Sequence, residues 1–331
     1  ALSAIRDQDD IVALLWRGWS SGRLHHAHLF HGPAGTGKRT TAMALAARMV
    51  CLAPLDRGMD PCGVCTGCVK QAAGAHPDVL VVEPDGRQIR IEQVRDIQHA
   101  TLYRPVEAPA RVVLLREAHA LREEAANALL KTLEEPTART HFVLLTDQPQ
   151  RLLDTIRSRC QPVGFGALRP ATLRTLLLAR HPEGPPLDRA VRLAQGSMRE
   201  AERWLQSPVL LALDDWTARL LRILDGPPTL ALDLADELAA QRAEAGEVLA
   251  WLRLWLRDGA MASAGQPDRV ALAPQAARAL ADRLHLPGCL HGLQLVDESE
   301  RLAAGNVNAR MIWERLCLGL QQATHAPTAH A

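Results

Sequence analysis

The sequence predicts an α/β fold, a parallel sheet covered by helices on both faces, followed by a region made of helices alone. Three observations carry this. Short apolar runs alternate with helical patterns through the first 165 residues, the order that repeated strand–helix–strand crossovers produce. A glycine-rich stretch, His31 to Thr40, joins the first of these runs to a helix. Beyond Pro208 the strand pattern stops, and Pro/Gly breaks at 226–228, 265–267 and 287–288 divide the remainder into helices.

In chain order, Ile11, Leu14, Leu15 and Trp19 recur at helical spacing and set an amphipathic helix over 10–20. His28-Leu29-Phe30 is a short strand entering the glycine-rich stretch, and Thr40 to Val50 is the helix leaving it. Between them, Gly32, four residues and then Gly37-Lys38 give the spacing of a phosphate loop, in the strand–loop–helix context the motif requires. Gly35 and Gly37 let backbone N–H groups turn inward, and the helix N-terminus adds partial positive charge for an anion. The position after the lysine calls for Ser or Thr, whose hydroxyl ligates Mg²⁺ on the β- and γ-phosphates. Here it is Arg39, and a cation cannot ligate a cation. Thr40 does not stand in for it, because one residue along a helix is ~100° of rotation.

Cys51, Cys62, Cys65 and Cys68 come next, four of the seven cysteines in the chain. Four thiolates suit a closed tetrahedral zinc site, and the turns at Gly63 and Gly67 let the chain wrap an ion. With no fifth ligand, the zinc expected is structural, stapling an excursion over 51–68. His76 is a weaker ligand candidate; it fits better in the His-Pro-Asp turn that starts the strand Val79 to Val82.

Ile91 to Leu102 reads as a helix and Arg111 to Leu115 as a buried strand. In a hydrolysing P-loop protein such a strand ends in Asp-Glu, the Asp holding Mg²⁺ and the Glu polarising water. Here the pair is Arg116-Glu117, so arginine stands at both metal positions. Leu121 to Glu135 is a helix stopped by Pro136, Phe142 to Leu145 a buried strand ending at Thr146, and Leu152 to Arg157 a short helix running into Ser158-Arg159-Cys160. The turn-rich piece from Gly164 to Pro170 marks a boundary. Two or three short helices follow to Leu205, with Ser197 as N-cap of the last. Helices are then expected at 209–224, 228–241, 244–262, 270–284, 288–304 and 306–321, with a disordered tail after Gln322. Trp251, Leu252, Trp255 and Leu256 form a stripe of core or subunit-interface character.

Composition narrows the function classes. Hydrophobic residues at 47% and charged residues at 23% fit a globular chain with a sizeable core. No apolar run approaches the ~20 residues of a membrane span, and no secretory signal opens the sequence, so a cytoplasmic protein without membrane contact is expected. A net charge of +1 gives no global case for nucleic-acid binding. Only Lys38, Lys70 and Lys131 are lysines, so a single oddly placed arginine means less here than a pair of them.

The chain resembles the bacterial clamp-loader ATPase family, part of the AAA+ class. The resemblance rests on His26 to Pro33, the four-cysteine insert, Asn127-Ala-Leu-Leu-Lys-Thr-Leu-Glu-Glu-Pro136, Ser158-Arg159-Cys160, Gly196-Ser197-Met198-Arg199 and Asn306-Val307-Asn308. It implies a P-loop AAA+ domain over 1–165, a small helical lid over 166–207 and an all-α collar for oligomerisation over 208–331. It also implies a place in the DNA polymerase III clamp loader, beside delta and gamma/tau subunits, with primed DNA and the sliding clamp met through the complex. Arg159 is then an arginine finger donated in trans to a neighbour's ATP. Thr146 and Arg199 occupy the first and second sensor positions. Gly32, Gly35, Gly37, Lys38, Arg39, Thr40, Arg116 and Glu117 form a degenerate nucleotide site, at which ATP with Mg²⁺ and intrinsic ATPase activity are not expected. Two alternatives stand beside this: an active gamma/tau-like ATPase with unusual ligands, and a zinc-containing DNA-binding module. Val64, Thr66, Gly67 and Val69 give the insert no basic or aromatic face for the second.

Overall fold

A computed structural model describes residues 1–137, 139–241, 244–266, 270–303, 305 and 307–324. Its elements begin with α1 (Asp9–Ser20), β1 (Ala27–His31), α2 (Lys38–Met49), α3 (Thr66–Ala72), β2 (Val79–Val82), α4 (Ile91–Thr101), β3 (Arg111–Leu115), α5 (Glu123–Glu134), β4 (Thr140–Thr146), α6 (Asp154–Arg157) and β5 (Gln161–Gly164). The five strands make one parallel sheet in the order β2-β3-β4-β1-β5. Leu29 lies opposite Leu144, and Val113 opposite Phe142.

Strand side chains alternate between faces, and that period of two builds two cores. Phe30, Val112, Leu114, Val143 and Leu145 pack on one face with Val12, Leu15, Leu45 and Met49 of α1 and α2. Leu29, Val113, Leu115, Phe142 and Leu144 pack on the other with Val94, Ile97, Leu129, Leu133 and Ile156 of α4, α5 and α6. Each such fully buried side chain is worth roughly 1.5–3 kcal/mol. Helices on both faces of a parallel sheet are what the alternating pattern predicts.

The deviations have local causes. β5 was not expected, because Gln161-Pro162-Val163-Gly164 has one apolar side chain that is buried and a proline that cannot donate; such a strand survives only at a sheet edge. α2 starts at Lys38 rather than Thr40, since Gly37 at φ 96° already caps it. α5 starts at Glu123, two residues after the expected Leu121.

The remaining helices are α7 (Pro170–Leu178), α8 (Pro185–Leu193), α9 (Met198–Gln206), α10 (Val209–Asp225), α11 (Pro228–Ala240), α12 (Ala245–Ser263), α13 (Pro274–Ala303) and α14 (Ala309–Ala323). By its contacts the chain forms two compact units, residues 1–172 with 196–198, and residues 173–195 with the chain from 199 onward. The second has its own core, in which Trp204, Trp216, Trp251, Trp255 and Trp313 are all buried. Trp251 and Trp255 stack with ring centroids 5.3 Å apart, and Trp255 Nε1 donates to the Ala276 carbonyl at 3.0 Å. Their stripe is therefore core.

α13 begins at Pro274 rather than 270 because the N–H groups of Ala271 and Leu272 turn instead to the buried Asp258 carboxylate, at 2.9 and 2.6 Å. It breaks at His285 (φ 51°, ψ −177°), two residues ahead of Pro287, so the expected pair of helices meets at a kink. α14 begins at Ala309 with Asn308 as its cap, Oδ1 accepting from Arg310 N–H. Asn306, expected in that helix, lies outside the described residues, as does the tail from 325. Among the described residues no helix is long and apolar enough to cross a membrane. Cys160, Cys289 and Cys317 are each buried, and burial pushes each thiol up to about 12.

Candidate functional site

The loop between β1 and α2 closes on itself. Gly32 has φ 131°, and a Cβ there would meet the Phe165 carbonyl at 2.2 Å, so glycine is required by both backbone and space. Thr36 donates its hydroxyl to the Pro33 carbonyl at 2.9 Å. Gly35, at φ 71°, accepts from Met198 N–H at 3.0 Å. Lys38 Nζ donates to the carbonyls of Gly32 and Pro33, at 2.6 Å each. Burial lowers the lysine's pKa, opposed by the nearby Asp147 carboxylate. Arg39 and Thr40 sit exposed on the first turn of α2. The loop keeps the shape of an anion cradle, while its cation is bound to the loop's own oxygens.

At the end of β3, Arg116 turns away from this loop to an ion pair with Glu83 just past β2. Glu117 is exposed and left-handed (φ 50°, ψ 48°), at the start of a single turn over Ala118–Ala120. That turn presents His119, whose Nδ1 is 3.0 Å from Thr146 Oγ1 and 3.5 Å from Asp147. Thr146 is buried and also accepts from Gln148 N–H at 3.0 Å, so its hydroxyl is fully engaged within the chain. Glu83 and His119 are contacts that sequence reasoning missed, since each is made across 27 or more residues.

The four cysteines converge: their sulfurs lie within 4.8 Å of one another, with Cys62 and Cys68 at 3.9 Å and Cys51 and Cys65 at 4.0 Å. Tetrahedral coordination with metal–sulfur bonds of ~2.3 Å needs sulfurs ~3.8 Å apart, so the residues fit a metal ion of that size. N–H groups of Ala53, Cys62, Cys65 and Cys68 point at the sulfurs from 3.4 Å. Backbone N–H groups of Val64 and Cys65 bring the Cys62 pKa down to about 6, while burial holds Cys68 up at about 12. Gly67 lets α3 sit against the end of α2, because a Cβ there would lie 2.3 Å from the Val50 carbonyl. His76 is not part of the cluster; its Nδ1 accepts from Asp78 N–H at 3.0 Å, and its Nε2 is 3.8 Å from Glu107. Lys70, on α3, pairs with the same Glu107.

Arg159 follows α6 with its side chain one third exposed. Its Nε donates to Glu134 Oε1 at 2.7 Å, Nη2 pairs with the same oxygen, and Nη1 donates to the Thr155 carbonyl at 2.8 Å. Its neighbour Cys160 is buried. Arg199 is exposed in the first turn of α9, in the second compact unit. The structure thus brings the loop residues together and gathers the cysteines. Arg159 stands on the separate segment after α6.

The model of the family "DNA polymerase III, delta subunit" matches residues 7–169. Among curated relatives, the DNA polymerase III subunit delta′ of Bacillus subtilis is 40% identical over 171 residues, 52% of this chain and 51% of its own. The delta′ subunit of Pseudomonas aeruginosa is 41% identical over 193 residues, 56% and 58% of the two chains. A gamma/tau subunit from Mycobacterium tuberculosis is 36% identical over 250 residues, 72% of this chain and 43% of its own. The chain spans about half the length of the curated relatives it matches. A solved gamma subunit-related protein from Thermotoga maritima aligns with 96% of this chain and 100% of its own at 18% identity, with a TM-score of 0.48. Over residues 7–169 the chain is thus similar to the delta and delta′ subunits of DNA polymerase III.

Proposed function

We propose that the chain is a non-hydrolysing, stationary subunit of the cytoplasmic DNA polymerase III clamp loader, which helps load the sliding clamp on primed DNA. The observation that carries this is Arg116, a guanidinium paired with Glu83 where a hydrolysing domain keeps its metal-holding acid. Arg39 at the other metal position supports the same reading. In this role the chain anchors an arc of subunits, with a delta subunit on one side and a gamma/tau subunit on the other. The helices of 166–207 serve as a lid, and those from 208 onward as the collar.

Arg159 supplies the chemistry as a finger in trans: a guanidinium bridges phosphate oxygens as negative charge shifts during transfer, worth ~10³–10⁵ in rate in GTPases. Cys51, Cys62, Cys65 and Cys68 would hold one structural zinc ion, which ties the insert to the end of α2. The purified chain should show no Mg²⁺-dependent ATP turnover, and measurable turnover would return the active gamma/tau-like reading. In a reconstituted loader, Arg159→Ala should assemble normally and slow ATP turnover at least tenfold; unchanged clamp- and DNA-stimulated hydrolysis would reject the finger.

A further inference from the structure

We propose that Glu134 is the positioning residue of Arg159, fixing the plane in which its guanidinium meets the neighbour's phosphate; this rests on the finger reading above. A guanidinium carries five N–H donors in a rigid fork. Glu134 Oε1 accepts the Nε hydrogen and stands in ion-pair contact with Nη2, and the Thr155 carbonyl accepts one hydrogen on Nη1. Each terminal nitrogen therefore keeps at least one donor. The carboxylate and the backbone carbonyl thus orient the group while leaving a donor on each terminal nitrogen for an oxyanion.

Glu134's place in the chain argues the same way. It is the last residue of α5, followed by Glu135, and acids at a helix C-terminus oppose the macrodipole. Nothing in the helix itself calls for a carboxylate there. The pair is partly solvated on both sides, so its own contribution to folding is small. Its effect is on orientation: a free arginine must give up its rotamer freedom each time it reaches a phosphate, whereas a held one has already done so. Restoring that freedom should slow transfer by about tenfold.

The test uses the reconstituted loader with clamp and primed DNA, measuring kcat and KM for ATP with Arg159→Ala, Glu134→Gln, the double variant, and Glu135→Gln as a control. The expected result is a drop of about tenfold in kcat for Glu134→Gln with KM unchanged, wild-type behaviour for Glu135→Gln, and a double variant equal to Arg159→Ala alone. Wild-type kcat for Glu134→Gln beside an impaired Arg159→Ala would overturn the positioning role and leave the finger standing. An additional loss in the double variant would overturn it too, by showing that Glu134 acts through another group, as would an equal loss in Glu135→Gln. Unchanged turnover in Arg159→Ala would reject the finger, and the positioning role with it.

Discussion

Replacing Asp78 with alanine should release the loop between α4 and β3 and destabilise the sheet unit by about 3–4 kcal/mol. Asp78 is completely buried. Its Oδ1 accepts from Val106 N–H at 2.7 Å and Arg111 Nη2 at 3.0 Å, and its Oδ2 from Glu107 and Ala108 N–H at 2.9 and 3.0 Å. Removing one partner of a buried ion pair typically costs ~3–5 kcal/mol. The lower half of that range applies, because Arg111 keeps the carbonyls of Ala100, Tyr103 and Arg104 as acceptors. At ~2–4 °C per kcal/mol for a unit of this size, the melting midpoint should fall by about 6–16 °C.

The effect should also fade in acid. Burial alone would raise the Asp78 pKa, but the N–H groups of Glu107, Val106 and Ala108 and the Arg111 guanidinium outweigh it and lower the value. A carboxylate depressed on folding stabilises above its unfolded pKa, ~3.9, and loses that contribution as pH falls through the folded value. Thermal unfolding at neutral pH and in acid, with hydrogen exchange over residues 102–110, checks both parts. A midpoint within 2 °C of wild type at neutral pH, with unchanged exchange in the loop, would refute the account.

Three further outcomes are expected. His28 is buried, and desolvation together with His25 and His141 lowers its pKa to about 4, so it folds neutral. Its contribution is intact above the unfolded pKa near 6.5 and is lost as pH falls toward 4, up to about 3 kcal/mol in all. His28→Leu should flatten stability against pH between 7 and 4.5, and an unchanged slope would count against the assignment. Gly67→Ala should destabilise the insert by about 1–3 kcal/mol through overpacking against the Val50 carbonyl, read by urea unfolding; wild-type stability would show that α3 can shift freely. Metal analysis should find one zinc per chain, falling sharply in Cys65→Ser, and a value near zero in the wild type would remove the site.

Much of this was legible from the chain alone. The glycine-rich loop, Arg39 and Arg116 and the cysteine array are local patterns, and local patterns are what a sequence displays. The strands with strong apolar faces were visible for the same reason. β5 was not, because its identity comes from pairing with β1 rather than from its own residues. The partners of the site residues were equally hidden. Glu134 lies 25 positions from Arg159, Glu83 lies 33 from Arg116, and Asp78 lies 33 from Arg111. Only the crossovers of the sheet bring such pairs together, and their charges look like ordinary surface charges when read in order.

The three buried cysteines have a practical consequence. With pKa values near 12, Cys160, Cys289 and Cys317 are thiolate only to on the order of one part in 10⁵ at neutral pH, and burial shields them further. A thiol-specific reagent added to the folded chain therefore meets no reactive sulfur outside the insert. Within the insert Cys62, with its pKa brought down to about 6, is the sulfur such a reagent meets first, so its modification reports whether the insert is free of metal, readable in a cuvette without any partner, nucleotide or DNA.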